Sequence, residues 1–269
     1  MNAYLEILRP SVCILTVIGL IVGAIVASTA TLTPQFALAI LAAFLICGAG
    51  DAINDYFDRT IDKTNAPKRP IPSGRISPKA ALYYFAILSV VGIALAYFVS
   101  VYYLGIAVFN WLVATAYPWR AKRVPIVKNI FVAYLAASSF LAAGFLSGLT
   151  ITLPLAFLVS IGFVITLGRE IVKDIEDVKG DSAAGVRTLP TLIGQTPAKA
   201  AAYVLLAVGC AAALLPLYLG LFKPYYLVGV VPAIIACIYS SMLGAHKAQK
   251  MIKAAMYLAI LGFLIGALV

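Results

Sequence analysis

Eight of the ten acidic residues in this chain stand in two rows: Asp51, Asp55, Asp58 and Asp62, then Glu170, Asp174, Asp177 and Asp181. Both rows advance by steps of four, three and four. Each member of the second lies 119 positions after its counterpart, from Asp51 to Glu170 through Asp62 to Asp181. On an α-helix such steps fall within about 60° of arc, so each row is one helix face. Carboxylates stacked on one face repel unless they are protonated, hydrated or neutralised by cations. Hard oxygen ligands at this density suit Mg²⁺, which commonly joins one or two carboxylates to phosphate oxygens. Asp55 to Asp62 covers about 10 Å of helix, so two or more ions, or contacts through water, are expected. The plain alternative, acids that cap helices and pair with nearby cations, suits Asp51 and Glu170, each a turn deeper. It does not require one spacing to occur twice.

Cations surround both rows. Lys122 and Arg123 follow Tyr117, where they could reach a diphosphate held by metal ions. Lys68, Arg69 and Arg75 lie in Asn65-Ala66-Pro67-Lys68-Arg69-Pro70-Ile71-Pro72-Ser73-Gly74-Arg75, a run stiffened by its prolines, and could clamp another phosphate. Arginine forks suit phosphate bidentately, whereas lysine acts as a point charge. Lys173 and Arg59 are phosphate ligands or counter-charges, and Tyr117 is a diphosphate donor or an interface tyrosine. Asn54 either orients a carboxylate or a metal-bound water, or satisfies a helix end. No residue stands out as a base for an acceptor proton, and the lone His246 is too near the last basic loop to nominate.

The elements that hold these groups must be membrane helices. Hydrophobic residues make up 63% of the chain and charged ones 11%, with a mean hydropathy of +1.03, against about 25% charged in soluble domains. Apolar runs near 11–31, 35–54, 79–99, 101–117, 128–148, 152–170, 198–219, 224–245 and 251–269 are each close to the length that crosses a bilayer. They imply an all-α integral membrane protein of nine transmembrane helices, one domain over 1–269. The first run is read as a retained helix, because it is too long for a signal-peptide core and no basic segment precedes it. Residues 3–8 form a short interfacial helix, and the third and fourth spans a tight hairpin around Ser100. Four spans separate the acid rows, which implies two four-helix pseudo-repeats plus a ninth helix around a central cavity.

Nineteen of the 20 basic residues, all but Lys223, fall on one side if the amino terminus is inside, the side that lysine and arginine favour. Both acid rows then sit at cytoplasmic mouths. Tyr102, Tyr103, Tyr225 and Tyr226 would mark the outer interface, Tyr117 and Trp119 the inner one. Runs rich in Gly and Ala permit close helix packing. The net charge of +10 comes without a soluble basic patch, aromatic platform or zinc spacing, which argues against nucleic acid. Cys13, Cys47, Cys210 and Cys237 read as buried thiols.

The motifs Asn54-Asp55-x-x-Asp58-x-x-x-Asp62 and Asp174-x-x-Asp177-x-x-x-Asp181 resemble the two aspartate-rich motifs of the UbiA superfamily of intramembrane prenyltransferases. The likeness extends to the helix plan and to the Tyr117–Arg123 loop between the motifs. Within that superfamily, Lys68-Arg69-Pro70-Ile71-Pro72-Ser73-Gly74-Arg75-Ile76-Ser77-Pro78 and Arg169-Glu170-Ile171-Val172-Lys173-Asp174-Ile175-Glu176-Asp177 are most similar to the archaeal digeranylgeranylglyceryl phosphate synthases. Chlorophyll-synthase-like members share the first run, so an aromatic or chlorin acceptor stays open beside a lipid one.

The resemblance implies Mg²⁺ held by Asp55, Asp58, Asp62, Asp174, Asp177 and Asp181, with Asn54 beside them, binding the diphosphate of an allylic donor. Lys122 would help neutralise the leaving group. It further implies geranylgeranyl diphosphate as donor, the hydroxyl of geranylgeranylglyceryl phosphate as acceptor, and an ether-linked lipid as product in the membrane. A cation transporter is the other class, since acids in membrane helices often mark ion pathways. Transporters hold such groups near the midplane, whereas these cluster at one face.

Overall fold

The computed structural model describes residues 2–183 and 186–269, with the Arg123 and Ala183 side chains outside the described set. Among these residues there is helix and turn but no strand. The α-helices are α1 (Ala3–Ile7), α2 (Pro10–Val26), α3 (Pro34–Asp58), α4 (Asp62–Asn65), α5 (Pro78–Val99), α6 (Val101–Trp119), α7 (Val127–Leu141), α8 (Leu153–Ala183), α9 (Leu189–Ile193), α10 (Gln195–Ala212), α11 (Leu215–Tyr218), α12 (Leu227–Ser240) and α13 (Ala245–Leu268). Lipid offers no partners to backbone polar groups, so an apolar chain satisfies them internally as helix.

Among the described residues, seven helices are long and apolar enough to cross a membrane: α3, α5, α6, α7 with its continuation to Phe145, α8, α10 with its continuation to Tyr218, and α13. This falls short of nine full-length spans, because α2 has 17 residues and α12 has 14. α2 stops at Val26, and Ser28, two residues on, takes a positive φ of 57°. α12 begins after the 3-10 turn Pro224–Tyr226. In the other direction, α8 runs for 31 residues and carries the whole second acid row. Its carboxy-terminal half remains helical because Ile171, Val172 and Ile175 repeat at helical spacing against the protein interior.

Two apolar cores fill the bundle. One joins α3, α5 and α6, the other α8, α10, α12 and α13, and α2 contributes to both. Close approach of α2 to α7 needs Gly23, where a Cβ would overlap the Phe140 carbonyl, and α12 meets α13 backbone to backbone at Gly229 and Gly262. Ser100 joins α5 to α6 as a tight hairpin, its hydroxyl accepting from the Tyr103 amide at 2.9 Å and donating to the Phe145 carbonyl at 2.9 Å.

Tyr103 and Tyr226 are not interface residues. Both are buried, and their hydroxyls donate to the Ala39 and Ala213 carbonyls, because a phenol inside an apolar bundle must find an acceptor. Tyr102 and Tyr225 are exposed. The proline-rich run after α4 folds back on the bundle, with Ile71 and Ile76 packed against Ile7 and Ala52. That anchoring fixes the place of Arg69.

Candidate active site

α3 presents Asp55, Asp58 and, just past its end, Asp62 as buried carboxylates. Burial of this much charge requires partners, and each has one. Arg9 bonds Asp55 through one guanidinium nitrogen and lies 3.3 Å from Asp51 through the other. Arg69 spans Asp55 at 3.5 Å and Asp62 at 2.7 Å. Lys122 donates to Asp58 Oδ2 at 2.6 Å, and Asn54 donates to the same oxygen at 3.1 Å.

The second row is built alike. Asp174 is buried, accepting from Lys128 at 2.7 Å on one oxygen and from Asn129 at 2.9 Å on the other. Glu170 is held by Arg169 at 2.8 Å, with Lys173 at 3.9 Å. Asp177 is exposed, and Asp181 Oδ2 is a buried oxygen with no hydrogen-bond partner among the described residues.

The two rows are tied to one short stretch of chain. Lys122, in the 3-10 turn Ala121–Arg123, reaches the first row, and Lys128 and Asn129, on the first turn of α7, reach the second. Six residues of extended chain cover at most about 22 Å, which bounds the separation of the two lysine backbones. Tyr117, near the end of α6, stands five residues before Lys122 and is partly buried near acids of both rows, Glu170, Asp58 and Asp174. Strained backbone delivers two of these cations: Arg9 sits at φ 46° just before α2, and Ile126 at φ 67° just before α7. Such a conformation costs about 1–3 kcal/mol and persists where surrounding contacts over-determine it.

Not every nominated residue joins the rows. Arg59 turns away, donating to the Tyr56 carbonyl at 2.7 Å and lying over the Tyr56 ring at 4.3 Å. Arg75 pairs with Glu6 at 2.6 Å and pins the proline-rich run to α1. Those hydrogen bonds hold the Glu6 carboxyl below its ordinary pKa. Lys68 is exposed and, with Arg69 and Glu6, lines a cleft of about 370 Å³. The Arg123 side chain lies outside the described residues. His246 is bonded to Glu176 at 2.5 Å on the surface, away from both rows.

Sequence reasoning passed over Arg9, Lys128 and Asn129. Arg9 is the one cation ahead of the first apolar run and is followed by Pro10, and Lys128-Asn129 opens the fifth. These were available signals, but general inward bias of positive charge accounts for such residues equally well.

The donor set fits Mg²⁺. It is all oxygen, drawn from carboxylates, and the cations on Asp55, Asp58 and Asp62 each occupy one oxygen of the pair, leaving the other. The orphaned Asp181 Oδ2 is a further hard donor.

The UbiA prenyltransferase family model matches residues 16–264. A digeranylgeranylglyceryl phosphate synthase from Methanopyrus kandleri is 37% identical over 274 residues, covering 100% of this chain and 100% of that relative. A solved structure described as giving structural and mechanistic insights into digeranylgeranylglyceryl phosphate synthase in membranes superposes with a TM-score of 0.87 at 33% identity, covering 98% of this chain and 97% of that one. A UbiA homologue from Archaeoglobus fulgidus bound to DMAPP and Mg²⁺ shares the fold, with a TM-score of 0.74 at 18% identity over 99% of both chains. With its family model spanning nearly the whole bundle and relatives alike from end to end, the chain belongs to the UbiA prenyltransferase family.

Proposed function

We propose that the chain moves a geranylgeranyl group from its diphosphate to the free hydroxyl of geranylgeranylglyceryl phosphate, forming the second ether bond of archaeal membrane lipids. The observation that carries this reading is the attachment of both acid rows to the one segment from Lys122 to Asn129. The full-length relation to a digeranylgeranylglyceryl phosphate synthase supports the choice of acceptor.

In this reading Asn54, Asp55, Asp58, Asp62, Asp174, Asp177 and Asp181 hold Mg²⁺, the ion bound with DMAPP in the Archaeoglobus fulgidus homologue. Bound there, Mg²⁺ supplies Lewis-acid neutralisation of diphosphate oxygens. The chain's own cations do the rest. Lys122 and Lys128 sit on the carboxylates of both rows, from which each donates to a diphosphate oxygen. Tyr117 and Lys173 add further donors, and Arg123, whose side chain lies outside the described residues, is assigned to the same diphosphate from its place in the sequence.

As the carbon–oxygen bond breaks, its electron pair stays with the diphosphate, and these donors offset the growing charge. The acceptor oxygen then bonds the allylic carbon and its proton is lost, giving the diether phosphate and diphosphate. Lys68 and Arg69, at the cleft beside Glu6, take the acceptor's phosphate. Arg75 and Arg59 hold their own segments in place.

The chain is one domain over 1–269, with two four-helix halves, α2, α3, α5 and α6, then α7, α8, α10 and α12, and α13 added. α2 and α12 serve as short crossings beside the seven longer ones, giving nine. The amino terminus and the mouth face the cytoplasm, where basic residues gather.

The test supplies purified full-length protein with Mg²⁺, labelled geranylgeranyl diphosphate, and either geranylgeranylglyceryl phosphate or 4-hydroxybenzoate. Label in the diether phosphate is expected. Label only in the aromatic product overturns the acceptor assignment, and transport of cations without diphosphate release overturns the enzyme.

A further inference from the structure

At the deep end of the first acid row, one turn before Asp55, lies a second group of metal-ligating side chains that the proposed prenyl transfer does not use. Cys13 comes from the first turn of α2, and Cys47 and Asp51 stand four residues apart on one face of α3. A ligand atom from each lies within 4.8 Å of the other two.

Asp51 spends one oxygen on Arg9 at 3.3 Å, while its Oδ2 is buried with no hydrogen-bond partner among the described residues. An unpaired buried carboxylate oxygen is costly, and here it belongs to the same cluster as two thiols. The thiols are already oriented. Cys13 Sγ donates to the Leu8 carbonyl at 3.0 Å, and Thr16 Oγ1 donates to Cys47 Sγ at 3.3 Å. Outer hydrogen bonds of this kind fix the geometry of first-shell ligands.

We infer that Cys13, Cys47 and Asp51 form a binding site for a borderline-soft divalent cation, Zn²⁺ by its chemistry, separate from the all-oxygen Mg²⁺ site above it. Charge balance supports a divalent ion: two thiolates and one carboxylate sum to −3, and the Arg9 guanidinium, which is shared with Asp55, offsets only part of that charge. Ligand softness supports zinc over magnesium, since thiolate selects Zn²⁺ while carboxylate and water select Mg²⁺. Three protein ligands with a fourth position for water is a common zinc arrangement. Binding releases the two thiol protons to solvent. Arg9 and Asp51 are both partly exposed, which opens a route from the mouth. The ion would tie α2 to α3, the helix that carries the first acid row.

The chain contains its own control. Cys210 on α10 packs into the apolar cluster that holds Cys237 of α12, yet no third ligand joins them in a cluster of this kind among the described residues.

Co²⁺ added to detergent-purified full-length protein, with Mg²⁺ in excess to fill the oxygen site, is the direct probe. Thiolate-to-cobalt absorption and tetrahedral visible bands are expected at one ion per chain, discharged by Zn²⁺. Cys13→Ser and Cys47→Ser should lose them, Cys210→Ser should keep them, and Thr16→Val should weaken affinity by about 10-fold or more. Asp51→Asn, which keeps both thiols, should also weaken binding and guards against a serine variant that fails to fold. No thiolate band, a band that survives both serine variants, or two thiols already missing from a thiol count in denaturant would each overturn the inference.

Discussion

Replacing Lys122 with Met separates the proposed use of this lysine on the leaving group from its structural one. Lys122 bonds Asp58 Oδ2 at 2.6 Å, with 39% of its own side chain and 12% of its partner's exposed. A pair this open to solvent contributes about 1 kcal/mol or less to stability. Asn54 still donates to the same oxygen at 3.1 Å, so the buried carboxylate is not orphaned. Removing a donor that meets developing charge on a leaving group costs about 2.7–4 kcal/mol, or about 10²–10³ in kcat. The functional loss should therefore exceed the structural one about threefold in free energy. The assay pairs kcat, from diphosphate released at saturating substrates, with thermal unfolding of the same detergent preparation. A kcat within about tenfold of the parent, equivalent to about 1.4 kcal/mol, would refute the placement of Lys122 on the leaving group. A collapse in thermal stability would show that its role is to hold Asp58.

Three further outcomes probe the scaffold. Glu6 is partly exposed and its pKa is lowered by hydrogen bonds from Arg75. Its contribution is present above the unfolded carboxylate's value, about 4.3, and is lost as pH falls through the lowered folded value. Protection of the Gly74 amide, its exchange rate taken relative to the intrinsic rate at each pH, should fall in that acid window, and Glu6→Gln should lower it at neutral pH. Tyr103→Phe removes a buried hydroxyl from the Ala39 carbonyl and should cost about 0.5–1.5 kcal/mol of stability without changing KM. Gly229→Val places a side chain where even a Cβ would overlap Gly262 and Leu258 backbone, so α12 and α13 should separate and monodisperse protein should be lost on size exclusion.

Much of the site was legible because lipid punishes charge. In a chain this apolar, two matched rows of carboxylates signal their purpose, and the lysine after Tyr117 follows from them. The helix that carries the second row runs further than hydropathy suggests, since α8 continues through Glu170 to Ala183 on packing that a hydropathy window does not register. Which cation meets which acid was hidden, because that depends on tertiary approach. Arg9 reaches Asp55 through a left-handed residue, and Lys128 and Asn129 reach Asp174 from across a helix pair. Arg59 and Arg75, similar to Arg69 by sequence, found a ring and the partly exposed Glu6 instead. Tyr103 and Tyr226 misled for the same reason. Tyrosine favours the membrane interface only where its hydroxyl has no acceptor inside.

The central claim is that the two aspartate rows act on one diphosphate. Turnover of Asp58→Asn, Asp177→Asn and the double variant tests it as a cycle, because groups that work as a unit are strongly non-additive. The account expects the double variant to be little slower than the worse single one, with each single variant folded and far below the parent rate. Losses that simply multiply, or a near-normal rate in either single variant, would contradict it.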